Sequence, residues 1–276
     1  MAGISAADVK ALRVKTGLPM MDCKRALQEA DGNIDKAISI LREAGAKTME
    51  KRSGRTTSAG RMAIYTGAGV GAIVELKCES APVAANEEFV QLANDLAQQL
   101  ATGPGAATPE ELLAQPSPSQ SGDTLQLQFD DLTNRIREVF RLERIERIDG
   151  NCGSYVHHNG AVGVLLAVDG DNAELAKDIC MHIAAMRPAV VSPDDLDADV
   201  VEKEREILSK AARNEGKPEN IIEKMVTGRL KNFFAEQCLL EQPFVKDDKK
   251  TVGQVAKEAG MTISRFVRWE LAAEEE

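Results

Sequence analysis

The side chains best suited to chemistry in this chain are few and scattered. His157, His158 and His182 are its only three histidines, and no two of them stand four residues apart, the spacing that holds a zinc ion on one helical face. His182 lies beside an apolar helical stripe, so structural roles are expected for these rings. Cys23, Cys78, Cys152, Cys180 and Cys238 are odd in number, widely spaced and without a CxxC pair, which supports neither a disulfide framework nor a zinc site. Reduced, buried thiols are the expectation. Asp31, Asn33 and Asp35 begin like a calcium loop, but Lys36 stands where that loop needs glycine and Arg42 where it needs a bidentate glutamate. Gly67, Gly69 and Ala72 fit the loose dinucleotide fingerprint, yet that motif must open a helix and a strand follows here, so a hairpin turn is expected. Neither a nucleophile elbow nor a phosphate-cradling loop is present. These absences favour a protein that binds over one that catalyses, with no catalytic residue, metal or cofactor.

The elements that would position any working surface are organised around one unit, residues 70–100. Val70, Ala72, Val74 and Leu76 alternate with their neighbours at the period of a strand that buries one face well. From Asn86, a fitting N-cap, the period changes, and Phe89, Leu92, Leu96 and Leu100 fall on one helical face. Between strand and helix stands Ser80-Ala81-Pro82-Val83, where proline has no donor for a ladder, so the chain must leave the sheet. The unit recurs: residues 161–168 read like 69–76 and lead into a helix carrying Leu175, Ile179 and Ile183. Each strand follows a hairpin partner, the second through Asn159-Gly160, a pair suited to a type I′ turn. An internal duplication of hairpin plus helix is therefore predicted.

The rest of the chain frames this pair. Ser5 with Asp8 starts a first helix that ends at Gly17, Pro19 opens a second, and Asn33 leads into a third that ends before Gly45. Met20 and Met21 sit side by side in the second helix and cannot both point inward, so one is expected at the surface. The segment 47–60 is basic and small, a linker. Residues 125–138 are predicted helical, and 140–148 a strand entering the second repeat. Two apolar stripes, over 197–212 and 221–234, flank Gly216-Lys217-Pro218 and predict an antiparallel helical hairpin. Residues 263–269 are expected to add a strand to the second sheet, ahead of the acidic Glu274-Glu275-Glu276. The predicted class is α+β, divided into a three-helix domain (1–46), linker (47–60), first core subdomain (61–139), second core subdomain (140–190 and 239–271) and projecting hairpin (191–238).

An apolar fraction of 43% in 276 residues allows a real core, and no apolar run is long enough for a bilayer. With no charged-then-apolar export pattern at its start, a cytosolic protein without a membrane partner is expected. A net charge of −10 argues against direct nucleic-acid binding, which needs clustered Lys and Arg, and points to a protein partner.

The stretch Leu12 to Leu27, LRVKTGLPMMDCKRAL, with EADGNIDKAISILREAG after it, resembles the N-terminal motif of the elongation factor Ts family. The resemblance continues in order through KRSGR, GAIVELKCES, NEEF, GSYVHHNGAVGVLLAV, MHIAA, GKPENIIEKMVTGRLKNFFAE and QPFVKDDKKTVGQ. It implies a ubiquitin-associated-like three-helix domain, two related sheet-and-helix subdomains and a projecting hairpin through which two copies could pair. It also implies guanine-nucleotide exchange on elongation factor Tu, without covalent chemistry. By that likeness Met20 and Met21 match methionines that grip the G domain, Ser80-Ala81-Pro82-Val83 matches the loop that presses near the magnesium and phosphate site, and His157 matches a histidine of the second subdomain, which touches the distal β-domain. The loop departs from the family's usual Thr-Asp-Phe-Val, so Ala81 and Pro82 stand in place of the intruding acid and aromatic.

Overall fold

A computed structural model of the chain describes residues 4–216 and 218–271, so Glu274-Glu275-Glu276 lies outside the described residues. Three helices come first: α1 (Ala6–Thr16), α2 (Met20–Glu29) and α3 (Ile34–Glu50). The Ser5–Asp8 capping box starts α1, left-handed Gly17 (φ 68°) ends it, and the Asn33 side chain caps α3. Leu12, Cys23, Leu27 and Ala37 meet fully buried at their centre. Strands β1 (Ala59–Gly67) and β2 (Val70–Cys78) follow as an antiparallel hairpin, then the single turn α4 (Ala81–Ala84), α5 (Glu87–Thr102), the short α6 (Pro109–Leu113), α7 (Leu125–Ile136) and β3 (Arg141–Asp149). A second hairpin, β4 (Cys152–Val156) and β5 (Val162–Asp169), leads to α8 (Ala173–Met186), then α9 (Ala198–Asn214) and α10 (Glu219–Gln237). The chain ends through β6 (Pro243–Phe244), β7 (Asp247–Thr251), α11 (Val252–Glu258) and β8 (Thr262–Glu270). No helix among the described residues is long and apolar enough to cross a membrane.

The class is α+β, with sheet orders β1-β2-β3 and β4-β5-β8, every pairing antiparallel. Residues 262–270 thus join the second sheet as expected. In each sheet the middle strand has two working faces, because successive side chains point opposite ways. Ala72, Val74 and Leu76 pack toward Phe89, Leu92 and Leu96 of α5, and Val164, Leu166 and Val168 toward Ile179 and Ile183 of α8. The other faces meet each other, burying Ile73, Ile148, Leu165 and Val267 between the sheets. The result is a helix–sheet–sheet–helix stack whose halves are related by the repeat. Each fully buried Leu or Ile in it contributes about 1.5–3 kcal/mol over its exposed state.

Four local expectations are corrected. The strand at 141–149 does not enter the second repeat: it pairs with β2, with Arg144 opposite Glu75, so the first sheet runs to Asp149 rather than ending at residue 139. Glu75 is only 2% exposed, and the Arg144 guanidinium beside it answers a charge that β2 alone would leave buried and unpaired. Helix α3 runs through Gly45 to Glu50, which makes residues 47–50 of the expected linker helical. Gly45 is there for closeness, since a Cβ would run into the Asn134 side-chain amide on α7. The second hairpin is not closed by a two-residue I′ turn, because Gly160 N–H donates to the His157 carbonyl and only Gly160 (φ 76°) is left-handed. Asn159 instead accepts from Ala161 N–H through its side chain, the Asx-turn alternative. Finally, Ser80-Ala81-Pro82-Val83 is not an open loop, since Ala81–Ala84 forms one helical turn with Pro82 at its start.

Candidate functional site

Pro19, lacking a backbone donor, occupies the N-cap position of α2 and leaves Met20 and Met21 as the first helical residues. Both are exposed, at 49% and 62%, rather than one alone. The inward positions of α2 are Cys23, Ala26 and Leu27, and the first turn lies outside the core that those residues build with α1 and α3. Two adjacent uncovered thioethers on a rigid helix offer an adaptable apolar contact. One residue further on, Asp22 Oδ2 accepts from Arg137 Nη2 at 2.8 Å.

The turn after β2 is held from several sides. Ser80 Oγ donates to Glu138 Oε1 at 2.6 Å and its N–H donates to Glu138 Oε2 at 3.1 Å. Glu79 Oε1 accepts from Val139 N–H at 2.8 Å and its Oε2 pairs with Arg55 at 3.1 Å. Desolvation works to raise the Glu79 carboxyl, but the Val139 N–H and the Arg55 guanidinium together hold it below its ordinary value. Burial, with Glu138 nearby, pushes the Cys78 thiol up to about 12, so this cysteine is a packed hydrophobe and no nucleophile. Ala81 and Pro82 remain exposed, while Val83 is half-buried against the first core. The Ala84 carbonyl, at the end of the turn, accepts from Arg61 Nη1 at 3.1 Å.

His157 is half-buried where β4 ends, its Nδ1 2.8 Å from the Tyr155 hydroxyl and its ring centroid 4.3 Å from that of exposed His158. Its loop docks on β1: the Gly160 carbonyl accepts from Met62 N–H at 2.7 Å, and a Cβ on Gly160 would come 2.9 Å from Arg61 Cβ. Arg61 therefore touches both the end of the Ala81–Ala84 turn and the loop after His157.

Three places chosen from the sequence are thus linked in one series. Met20-Met21 reaches Ser80 through Asp22, Arg137 and Glu138, and the Ser80 turn reaches the His157 loop through Arg61. Sequence reasoning missed the linking residues. Arg137 caps α7 in the left-handed region (φ 66°), where glycine is the usual signal and a side chain costs about 1 kcal/mol or more. Its carbonyl accepts from Arg52 Nη1 at 2.6 Å, which pins that conformation. Ser80, expected as a contact residue, gives both its donors to Glu138. Among the described residues, no group of three or more His, Cys, Asp or Glu is placed to hold a metal ion.

Comparison with known proteins bears on what such a surface serves. The family model described as elongation factor TS matches residues 79–273. The chain is 44% identical to the elongation factor Ts of Thermobifida fusca (strain YX) over 278 residues, covering 98% of this chain and 99% of that protein. It is 44% identical over 283 residues to that of Clostridium botulinum (strain Eklund 17B / Type B), covering 97% and 92% of the two. With that of Kineococcus radiotolerans it shares 40% identity over 279 residues, 99% of this chain and all 100% of the relative. Matches of this length, on a structure whose helices, paired sheets and helical hairpin run in the same continuous chain, make this protein a member of the elongation factor Ts family and a translation elongation factor.

Proposed function

We propose that the chain is a guanine-nucleotide exchange factor of the cytoplasm, which binds elongation factor Tu carrying GDP and hastens release of that nucleotide so that GTP can enter. The reading rests on one geometric observation: Met20-Met21 and Ala81-Pro82, two uncovered apolar sites on different elements, are tied through their neighbours Asp22 and Ser80 to consecutive residues, Arg137 and Glu138. In this reading the methionines grip the G domain, the Ala81–Ala84 turn stands near the phosphate and magnesium site, and the His157 end meets the distal β-domain. No bond is made or broken by the chain itself. Binding and nucleotide loss are coupled reciprocally, so whatever factor the chain weakens GDP by, GDP weakens the chain by the same factor.

The decisive test is the off-rate of labelled GDP from the elongation factor Tu of the same organism with catalytic amounts of this chain. Acceleration is expected; an unchanged off-rate at saturation defeats the proposal. A buried aromatic is worth about 1.5–3 kcal/mol, or roughly tenfold to a hundredfold in coupling, so Ala81 and Pro82 forgo that contribution. The rest of the docked surface, the backbone of the turn included, carries the exchange in place of those two side chains. Ala81→Asp with Pro82→Phe should accordingly change the release rate by less than about threefold, and a large gain would show that the turn tip is the missing wedge.

A further inference from the structure

We infer that Arg137 and Glu138 act as a positioning pair, which fixes the separation between the Met20-Met21 surface and the Ala81-Pro82 turn and thereby sets the maximal rate of nucleotide release. The inference rests on the exchange reading above and deepens it. Both sites are tied to one dipeptide: Arg137 Nη2 donates to Asp22 Oδ2 at 2.8 Å, where Arg25 pairs with Oδ1, and the Glu138 carboxylate accepts from the Ser80 hydroxyl at 2.6 Å and the Ser80 N–H at 3.1 Å. The dipeptide itself is pinned where α7 ends, since the Arg137 N–H donates to the Thr133 carbonyl at 2.7 Å and the Arg137 carbonyl accepts from Arg52. A factor that binds a GTPase at one place and disturbs it at another transmits its binding energy only if the distance between the two places is fixed. A loosened turn would still allow docking through the methionines but would spend that docking on its own ordering.

Arg137→Gly isolates this role. Glycine suits the left-handed position better than arginine and keeps the carbonyl that Arg52 holds, so melting temperature should stay level or rise. The maximal GDP-release rate should nonetheless fall about threefold to tenfold, with a smaller change in the concentration for half-maximal effect. Glu138→Ala should lower the maximal rate about tenfold. Ser80→Ala added to it should bring no further loss, because the one hydrogen bond it removes, from the hydroxyl, is already gone with the Glu138 carboxylate. Independently of any partner, the amides of Ala84, Ala85 and Asn86 should exchange with deuterium faster in Glu138→Ala. Full maximal rates in Arg137→Gly and Glu138→Ala, additive losses in the double variant, or unchanged amide exchange would each overturn the inference. If the unmodified chain fails to accelerate release, the exchange reading falls instead, and amide exchange still decides whether the pair orders the turn.

Discussion

Met20 and Met21 illustrate what single residues do here. Each is a helix former with a soft, polarizable tip, and neither adds to the core of the helical bundle. Burying two such side chains in a complex is worth about 3 kcal/mol, so Met20→Ala with Met21→Ala should raise the concentration for half-maximal GDP release roughly a hundredfold while leaving the melting temperature within a few degrees. Titration of the complex by fluorescence reads the first quantity and thermal unfolding the second.

His182 shows the opposite case, a ring wholly inside. Its Nδ1 accepts from Val245 N–H at 3.3 Å, which leaves the proton on Nε2 to bond Gln242 Oε1 at 2.9 Å. Burial lowers its pKa below the ordinary histidine value, the Gln242 hydrogen bond only partly opposing this. The unfolded chain therefore binds this proton more readily, and the stability His182 contributes is complete above about pH 6.5 and is lost as pH falls toward the lowered native value. Melting curves of the unmodified chain and of His182→Gln should consequently converge on acidification from pH 7.5 to 5. A gap that widens would mean that the ring is protonated in the native state.

At the scale of elements, the periods of the sequence identified most helices and strands, because amphipathic spacing is a local property that survives into the fold. Asn86 capping α5 and the Ser5–Asp8 box were visible for the same reason. Gly45 misled, since its role depends on Asn134, a residue far along the chain. The Arg137 cap carried no signal at all, being a left-handed residue of an unusual type. The helical hairpin is a separable element. Ala212, Ile222, Val226 and Leu230 form a core of their own, and the chain leaves and returns at Val190 and Cys238, which pair as a bridge. Replacing residues 194–236 by a short Gly-Ser linker should therefore preserve the second sheet and shift the melting temperature of the remainder by no more than about 5 °C, as read by calorimetry. Loss of cooperative unfolding would show that the hairpin supports the core it leaves.

For the whole molecule, the decisive contact is between the two sheets. Gly71 and Gly163 occupy equivalent places in the repeat, and each faces the opposite sheet without a side chain. A Cβ on Gly71 would stand 2.7 Å from Leu165 Cδ1, and one on Gly163 would stand 2.8 Å from Met62 Cβ. Each would also meet an atom fixed to the opposite backbone, since a Cβ on Gly71 comes 2.9 Å from Cys152 Cβ just as one on Gly163 meets Met62 Cβ. Gly163→Ala and Gly71→Ala should thus each cost about 1–3 kcal/mol, measured by denaturant unfolding. Equal, negligible effects would mean that the sheets are not in close contact.

The order of residues alone determined the α+β class, the duplication, the helical hairpin and the family, because alternation, helical period and motif are all written along the chain. Only the tertiary structure decided that residues 141–149 complete the first sheet, that Ser80 is tied to Glu138, and that Asp22 meets Arg137. Those pairings join segments remote in sequence, the first of them set by burying Glu75 beside Arg144, and no local pattern specifies such contacts.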